Sequence, residues 1–250
     1  MSDILVFAPR VDQPTLPNPW LRLPPAVAAL VADPRDWGTL TGATESKDVW
    51  KLIAAAAQEG RLKLGQPVTI PTAPTLPALA PSEQSLPGWK QSGVDQCDKH
   101  LGQPVRSKVD LTALQAGILQ MGDYLTPSHE HSQSIEGRGK RQAGDYWHAI
   151  NHRREPDYGN AKYWFRHVGN HPLLGDLAKI TPDLAREFSS SVQSKAAGLI
   201  EGGRLEPFKF VDLISDACRR KDDELIHFAE RLQWIEMVGL LESTLHDAVG

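Results

Sequence analysis

The chain has 250 residues, 40% hydrophobic and 23% charged, with a formal net charge of −4; this is the make-up of a globular protein long enough to bury a full core. Mild acidity excludes a global electrostatic drive toward nucleic acid or an anionic membrane, so any anion binding has to be local. Two cysteines give neither a disulfide framework nor metal-ligand spacing; no stretch approaches the ~20 apolar residues of a membrane span, and the start "MSDILVFAPRVDQP" lacks the basic region of a signal peptide. A soluble, cytoplasmic protein is expected.

In chain order, residues 1–107 read as an irregular, Pro-rich N-terminal segment. Pro71, Pro74, Pro77, Pro81 and Pro87 form one loose run, and each removes an N–H and biases its predecessor away from helix. Before that run, a helix is predicted around Lys47 to Glu59, stopped by Gly60, and "QPVTIPT" reads as a short edge strand. Residues 108–250 then read as a helical domain. Leu111, Leu114, Ile118, Met121 and Leu125 step by three and four behind an Asp110 cap. "TPDLAREF" predicts a helix start with Thr181 at the cap and Pro182 at the first helical position. "PFKFVDLISDACRR" and the long "DDELIHFAERLQWIEMVGLLESTL" predict two more helices. The predicted fold class is all-α, a helical bundle with an irregular Pro-rich N-terminal segment.

Followed past Leu125, the same steps reach His129, Ser132 and Glu136, so a core stripe turns polar while keeping helical phase. Pro127 is expected to kink that helix or restart it. "GDYWHAINHRREP" offers a second polar stripe of Asp145, His148, His152 and Glu155. His148 and His152 at i, i+4 can direct two imidazoles to one ion. The link "GRGKRQAG" is short, so the two helices are expected to be antiparallel neighbours. Six of the nine histidines lie between 129 and 171, and all four tyrosines between 124 and 163.

Each feature also has a plainer reading. The histidines can form a buried polar network with carboxylates and backbone, and Asp145 can be a helix N-cap. Arg153, Arg154, Lys162 and Arg166 can pair with neighbouring acids. The aromatics of "DYW" and "KYWF" are expected mostly in the core, with Tyr163 the one to line a pocket. A zinc-protease helix is excluded, because Ala149 stands where that motif needs glutamate.

"SHEHSQSIEG", "DYWHAINHRREPDYGNAKYWFRHVGNHP" and "LQWIEMVGLLE" together resemble a family of helical proteins of bacteria and fungi with a YWH…HRREPDY.N.KYWFR.VG.HP signature. The final motif departs from the family's Gln-x-x-Glu-Trp pattern: Trp234 directly follows Gln233, and Met237 follows Glu236. The resemblance covers roughly residues 108 to 245. It implies one helical unit with a shared polar site around His129, His148, His152, Arg153 and Glu155, and it implies no particular reaction.

The leading functional expectation is a metal-dependent enzyme of hydrolase or lyase type, acting on a small anionic or hydroxylated substrate. His129, His148 and His152 are the candidate ligands of a divalent transition metal (zinc, manganese, iron or nickel). Glu136 and Glu155 are candidates for fourth ligand or general base. Arg153, Lys162, Tyr163 and Arg166 are the candidate substrate contacts. A non-catalytic module for a small anion, or a structural protein whose polar core sets helix register, are the alternatives.

Overall fold

The computed structural model of the protein describes residues 78–82, 85–86 and 88–250, and within these it is predominantly helical, with one short hairpin. The helix expected over Lys47 to Glu59 and the strand expected at "QPVTIPT" lie outside the described residues. α1 (Gly88–Asp95) and a 3-10 turn (Cys97–His100) precede α2 (Lys108–Met121), the first helix of the expected bundle. Leu79, Val94, Cys97 and Leu101 are buried in the same core as the later helices, so packing does not begin at residue 108.

Ser107, not Asp110, caps α2: its hydroxyl accepts from the Asp110 N–H at 3.2 Å and donates to the Asp110 carboxylate at 2.5 Å. This is a side-chain N-cap without the reciprocal bond of a capping box, since the Ser107 N–H donates to the Ala248 carbonyl at 3.1 Å. It leaves Asp110 Oδ1 to accept from the backbone N–H of Lys140 at 2.8 Å. The chain breaks at Gly122 and Asp123, the latter with φ of 61°, and α3 (Leu125–Gln133) begins just beyond. Pro127 therefore falls in the first turn of α3, where backbone N–H groups lack intrahelical acceptors anyway, and it causes no kink.

α4 (Ala143–Arg154) is polar in sequence, yet every one of its residues is buried. It packs against α2, α3 and α5 (Tyr158–Val168). Close approach to α2 depends on Gly117, where a β-carbon would stand 2.5 Å from the Trp147 ring and 2.7 Å from Leu241. The expected Asp145 cap is not made. Asp145 lies inside the first turn of α4 and accepts from the Gly137 N–H at 3.1 and 3.3 Å, so it fastens the preceding loop.

The next helix is also longer than expected. α6 (Leu173–Ala185) runs through Pro182, because Leu174, Leu177, Ala178 and Leu184 keep one buried face in phase across it. Thr181 is no cap; its hydroxyl donates back to the Leu177 carbonyl at 2.7 Å. α7 (Ser190–Ala197) leads to a hairpin of β1 (Ile200–Glu201) and β2 (Arg204–Leu205). The turn uses Gly202 and Gly203, both at positive φ, as a two-residue hairpin loop of that kind demands. α8 (Pro207–Arg220) starts with proline at its first position. α9 (Asp223–Val249), capped by the Asp222 side chain, packs along α2, α6 and α8. No helix among the described residues is long and apolar enough to cross a membrane.

Candidate metal centre

α3 and α4 run antiparallel. Ile135 lies against Gly144, while one helical turn or more further along α4 His129 meets both His148 and His152. One nitrogen from each of the three imidazoles lies within 4.8 Å of the others. The rings of His129 and His148 meet edge-on at 4.4 Å between centroids, those of His129 and His152 at 5.1 Å. His148 and His152 stack at 4.8 Å. A tetrahedral ion with bonds of about 2.0–2.1 Å needs donors about 3.3 Å apart, so the cluster must contract by about 1.5 Å at most, which is within reach of imidazole ring rotations.

Burial sets the protonation of these rings. His148 is buried, and desolvation, followed by the nearness of His129 and His152, pushes its pKa down to about 3. Desolvation, then His152, also lowers that of half-buried His129. Near neutrality both are free bases, the form that ligates metal. Neither nitrogen of His148 has a hydrogen-bond partner. An unsatisfied buried polar group costs about 1–3 kcal/mol, and the other face of the ring is closed by Trp164 of α5, stacked at 3.8 Å. The donor set therefore fits a transition metal: it is nitrogen-only and clustered, and its central ring, His148, is neutral and without a competing partner.

The other expected site residues scatter. Glu155 closes α4 and places Oε2 3.1 Å from Nδ1 of His152. Glu136 lies past the end of α3, exposed in a turn, because the helix stops at Gln133 before the stripe reaches it. Arg153 is fully buried in an ion pair with Glu236 at 2.5 Å and also donates to Gln233 at 3.3 Å. Lys162 pairs with Asp212 at 2.5 Å, and Arg166 lies over the Phe208 ring. Tyr163 is 45% exposed, and its ring is edge-on to Trp164 at 5.4 Å, one aromatic removed from His148.

Three further residues were named in the sequence without being candidates for the site. Tyr146 donates to Glu236 at 3.0 Å, and Gln233 and Glu236 both reach Arg153. Their signal was present, since Gln233 and Glu236 are two polar residues at i, i+3 amid the apolar run of α9. Trp164 could be read only as core. His171 is buried as well, its pKa down at about 4 through desolvation and then the Arg141 charge. Its Nδ1 accepts from the Leu173 N–H at 3.2 Å, and Gly169, at the end of α5, separates it from the helix of His167.

Comparison with protein-family models gave no match to this chain, and neither did comparison with curated proteins or with solved structures.

Proposed function

We propose that the protein is a metal-dependent enzyme whose ion is held by His129, His148 and His152, with chemistry of hydrolase or lyase type on a small anionic or hydroxylated substrate. The observation that carries this reading is His148, buried and neutral, with both nitrogens unpartnered beside two more imidazoles. An all-imidazole set suits zinc, iron or nickel better than manganese, which favours oxygen donors. When bound, such an ion activates water or polarises a carbonyl.

The chain's own residues would hold that chemistry in place. Trp164 closes one face of His148 against water. Half-buried His129 leaves the cluster open on its α3 side. Exposed Tyr163, one aromatic ring removed from His148, would offer a hydroxyl to substrate. Lys162 and Arg166 contribute less than the sequence suggested, because each already has a partner. The family resemblance, with its shared polar site, is part of the same proposal.

The test is elemental analysis of the full chain purified without chelator. About one transition-metal ion per chain is expected, by analogy with three-ligand catalytic sites. His148→Ala and His152→Ala should each lose it while the helical circular dichroism persists. Absence of metal, with none bound at micromolar affinity on adding back zinc, iron or nickel, overturns the reading.

A purely structural polar core is the second reading, and the buried Arg153–Glu236–Gln233 network, bonded through Nη2 of Arg153, favours it for that part of the molecule. It does not account for His148.

A further inference from the structure

Glu155 stood in the sequence as a candidate fourth ligand or general base, and its placement argues for neither. Its Oε2 is 3.1 Å from Nδ1 of His152. Yet the group of potential ligand atoms lying within 4.8 Å of one another holds only the three histidines. A carboxylate that touches the His152 ring at Nδ1 and falls outside the cluster stands at the edge of that ring, near enough to His129 to act on its charge but not grouped with the three nitrogens.

We infer that Glu155 is a positioning residue that holds His152 by its Nδ1 edge, so that Nε2 is the atom His152 presents to the ion and the fourth coordination position stays open for water or substrate. The inference rests on the metal reading above and deepens it. A histidine with a carboxylate at one nitrogen carries its proton there and keeps the lone pair on the other. Three protein ligands with one free position is the arrangement of catalytic rather than structural sites.

Local structure supports this division of labour. His152 is in the last turn of α4, and Glu155 is the residue that ends it, its N–H bonded to the Asn151 carbonyl at 2.9 Å. The helix terminus therefore fixes the Glu155 backbone relative to the His152 ring. The two side chains are close but not aligned, since Nδ1 of His152 makes no well-directed hydrogen bond. A modest ring rotation brings the N–H into line. The contraction needed to close three nitrogens around an ion calls for ring rotations of the same kind.

The neighbours in sequence have different jobs. Arg153 points into the core toward Glu236, and Arg154 bonds the Gln120 carbonyl at 2.8 Å and pairs with Asp123. Of the Arg-Arg-Glu run, Glu155 alone serves the imidazoles. It is also partly exposed, with a third of its side chain accessible, so its replacement leaves the core intact.

The experiment compares zinc and cobalt(II) affinity, by chelator competition, in the full-length wild type, Glu155→Gln and Glu155→Ala. Circular dichroism and melting temperature are followed as folding controls. The glutamine carbonyl can still accept the Nδ1 proton but is a poor ligand. A positioning role therefore predicts a loss of about 10–100-fold for Glu155→Ala and only a few-fold for Glu155→Gln. Azide added to the cobalt(II) protein should change its visible spectrum in the wild type and in Glu155→Gln alike, reporting an open position. Equal, large losses in both variants would make Glu155 a ligand and overturn the inference. Unchanged affinity in Glu155→Ala would also overturn it and leave the three-histidine centre standing. A wild type that binds neither zinc nor cobalt removes the centre and this inference together.

Discussion

The imidazole of His148 stacks on the indole of Trp164, with ring centroids 3.8 Å apart and planes 20° apart. The stack fixes the ring from one side while its nitrogens stay without partners. A protein selected for stability alone has a cheaper choice at this position, namely an apolar ring of the same shape. His148→Phe keeps the stack and removes two unsatisfied polar atoms. The expected outcome is abolition of metal binding, with apo-protein stability unchanged or raised by about 1 kcal/mol in chemical denaturation. A marked destabilisation of the metal-free protein would show that His148 has a structural partner after all.

The buried histidines also set the acid response. The folded pKa of His148 is near 3 and that of His171 near 4, both below the ordinary value of about 6.5 for an unfolded histidine. Between those limits the unfolded chain binds more protons, so stability rises with pH up to about 6.5 and falls as pH drops below it. Each such histidine adds up to about 1.4 kcal/mol per pH unit to that slope. Denaturation midpoints of the metal-free protein at pH 4.5 to 7 should show the decline. His148→Phe should remove roughly one proton from its slope.

How much of this was legible beforehand differs between fold and site. The stripes from Leu111 and from Leu225 announced packed helices, and the steps from Leu125 to His129 led to the cluster. The break at Gly122–Asp123 interrupts the helical phase, so it is the separate helix α3, with Leu125, Ser128 and Ser132 on its buried face, that carries His129 to the cluster. Glu136 misled, since the same arithmetic was carried past a helix end that neither glycine nor proline marks. Thr181–Pro182 misled in the opposite sense: a strong local start signal was overridden by a buried face continuous from Leu174 to Leu184. The Arg153 partners lie 80 residues and more away, at Gln233 and Glu236, and local pattern carries no such distance. Arginine in a histidine-rich stretch was taken toward substrate, whereas burial made it the centre of an ion pair.

That ion pair gives a prediction of its own. Arg153 and Glu236 have no exposed side-chain surface, and Arg153 also lies over the Phe210 ring at 4.8 Å. Glu236→Ala leaves a buried guanidinium without its counter-charge and should cost about 3–5 kcal/mol. The double replacement Arg153→Met with Glu236→Leu should recover most of that loss, since the Coulombic gain of a buried pair barely exceeds its desolvation. Urea midpoints of the three variants decide the matter. A double variant as unstable as Glu236→Ala would mean that Tyr146 and Gln233 depend on the pair more than the pair's own energetics suggest.

The final prediction concerns where the folded unit begins. Leu79, Val94, Cys97 and Leu101 are all buried in the main core. The Ala78 carbonyl accepts from Arg154 Nε at 3.2 Å and from Gln233 at 3.4 Å, so the segment is fastened to the two helices that flank the Arg153 network. Fully burying a leucine or valine contributes about 1.5–3 kcal/mol, and losing several such residues approaches the whole stability of a typical domain. A chain starting at residue 108 should therefore be far less stable than one starting at residue 78, or aggregate through the uncovered surface on α2 and α9. The chain starting at 78 should keep a cooperative thermal transition. Equal melting temperatures for the two truncations would show that residues 78–107 only decorate the bundle. A large gap would place the domain boundary before Ala78, with Arg154 as the residue that ties the early segment to the helix bearing His148 and His152.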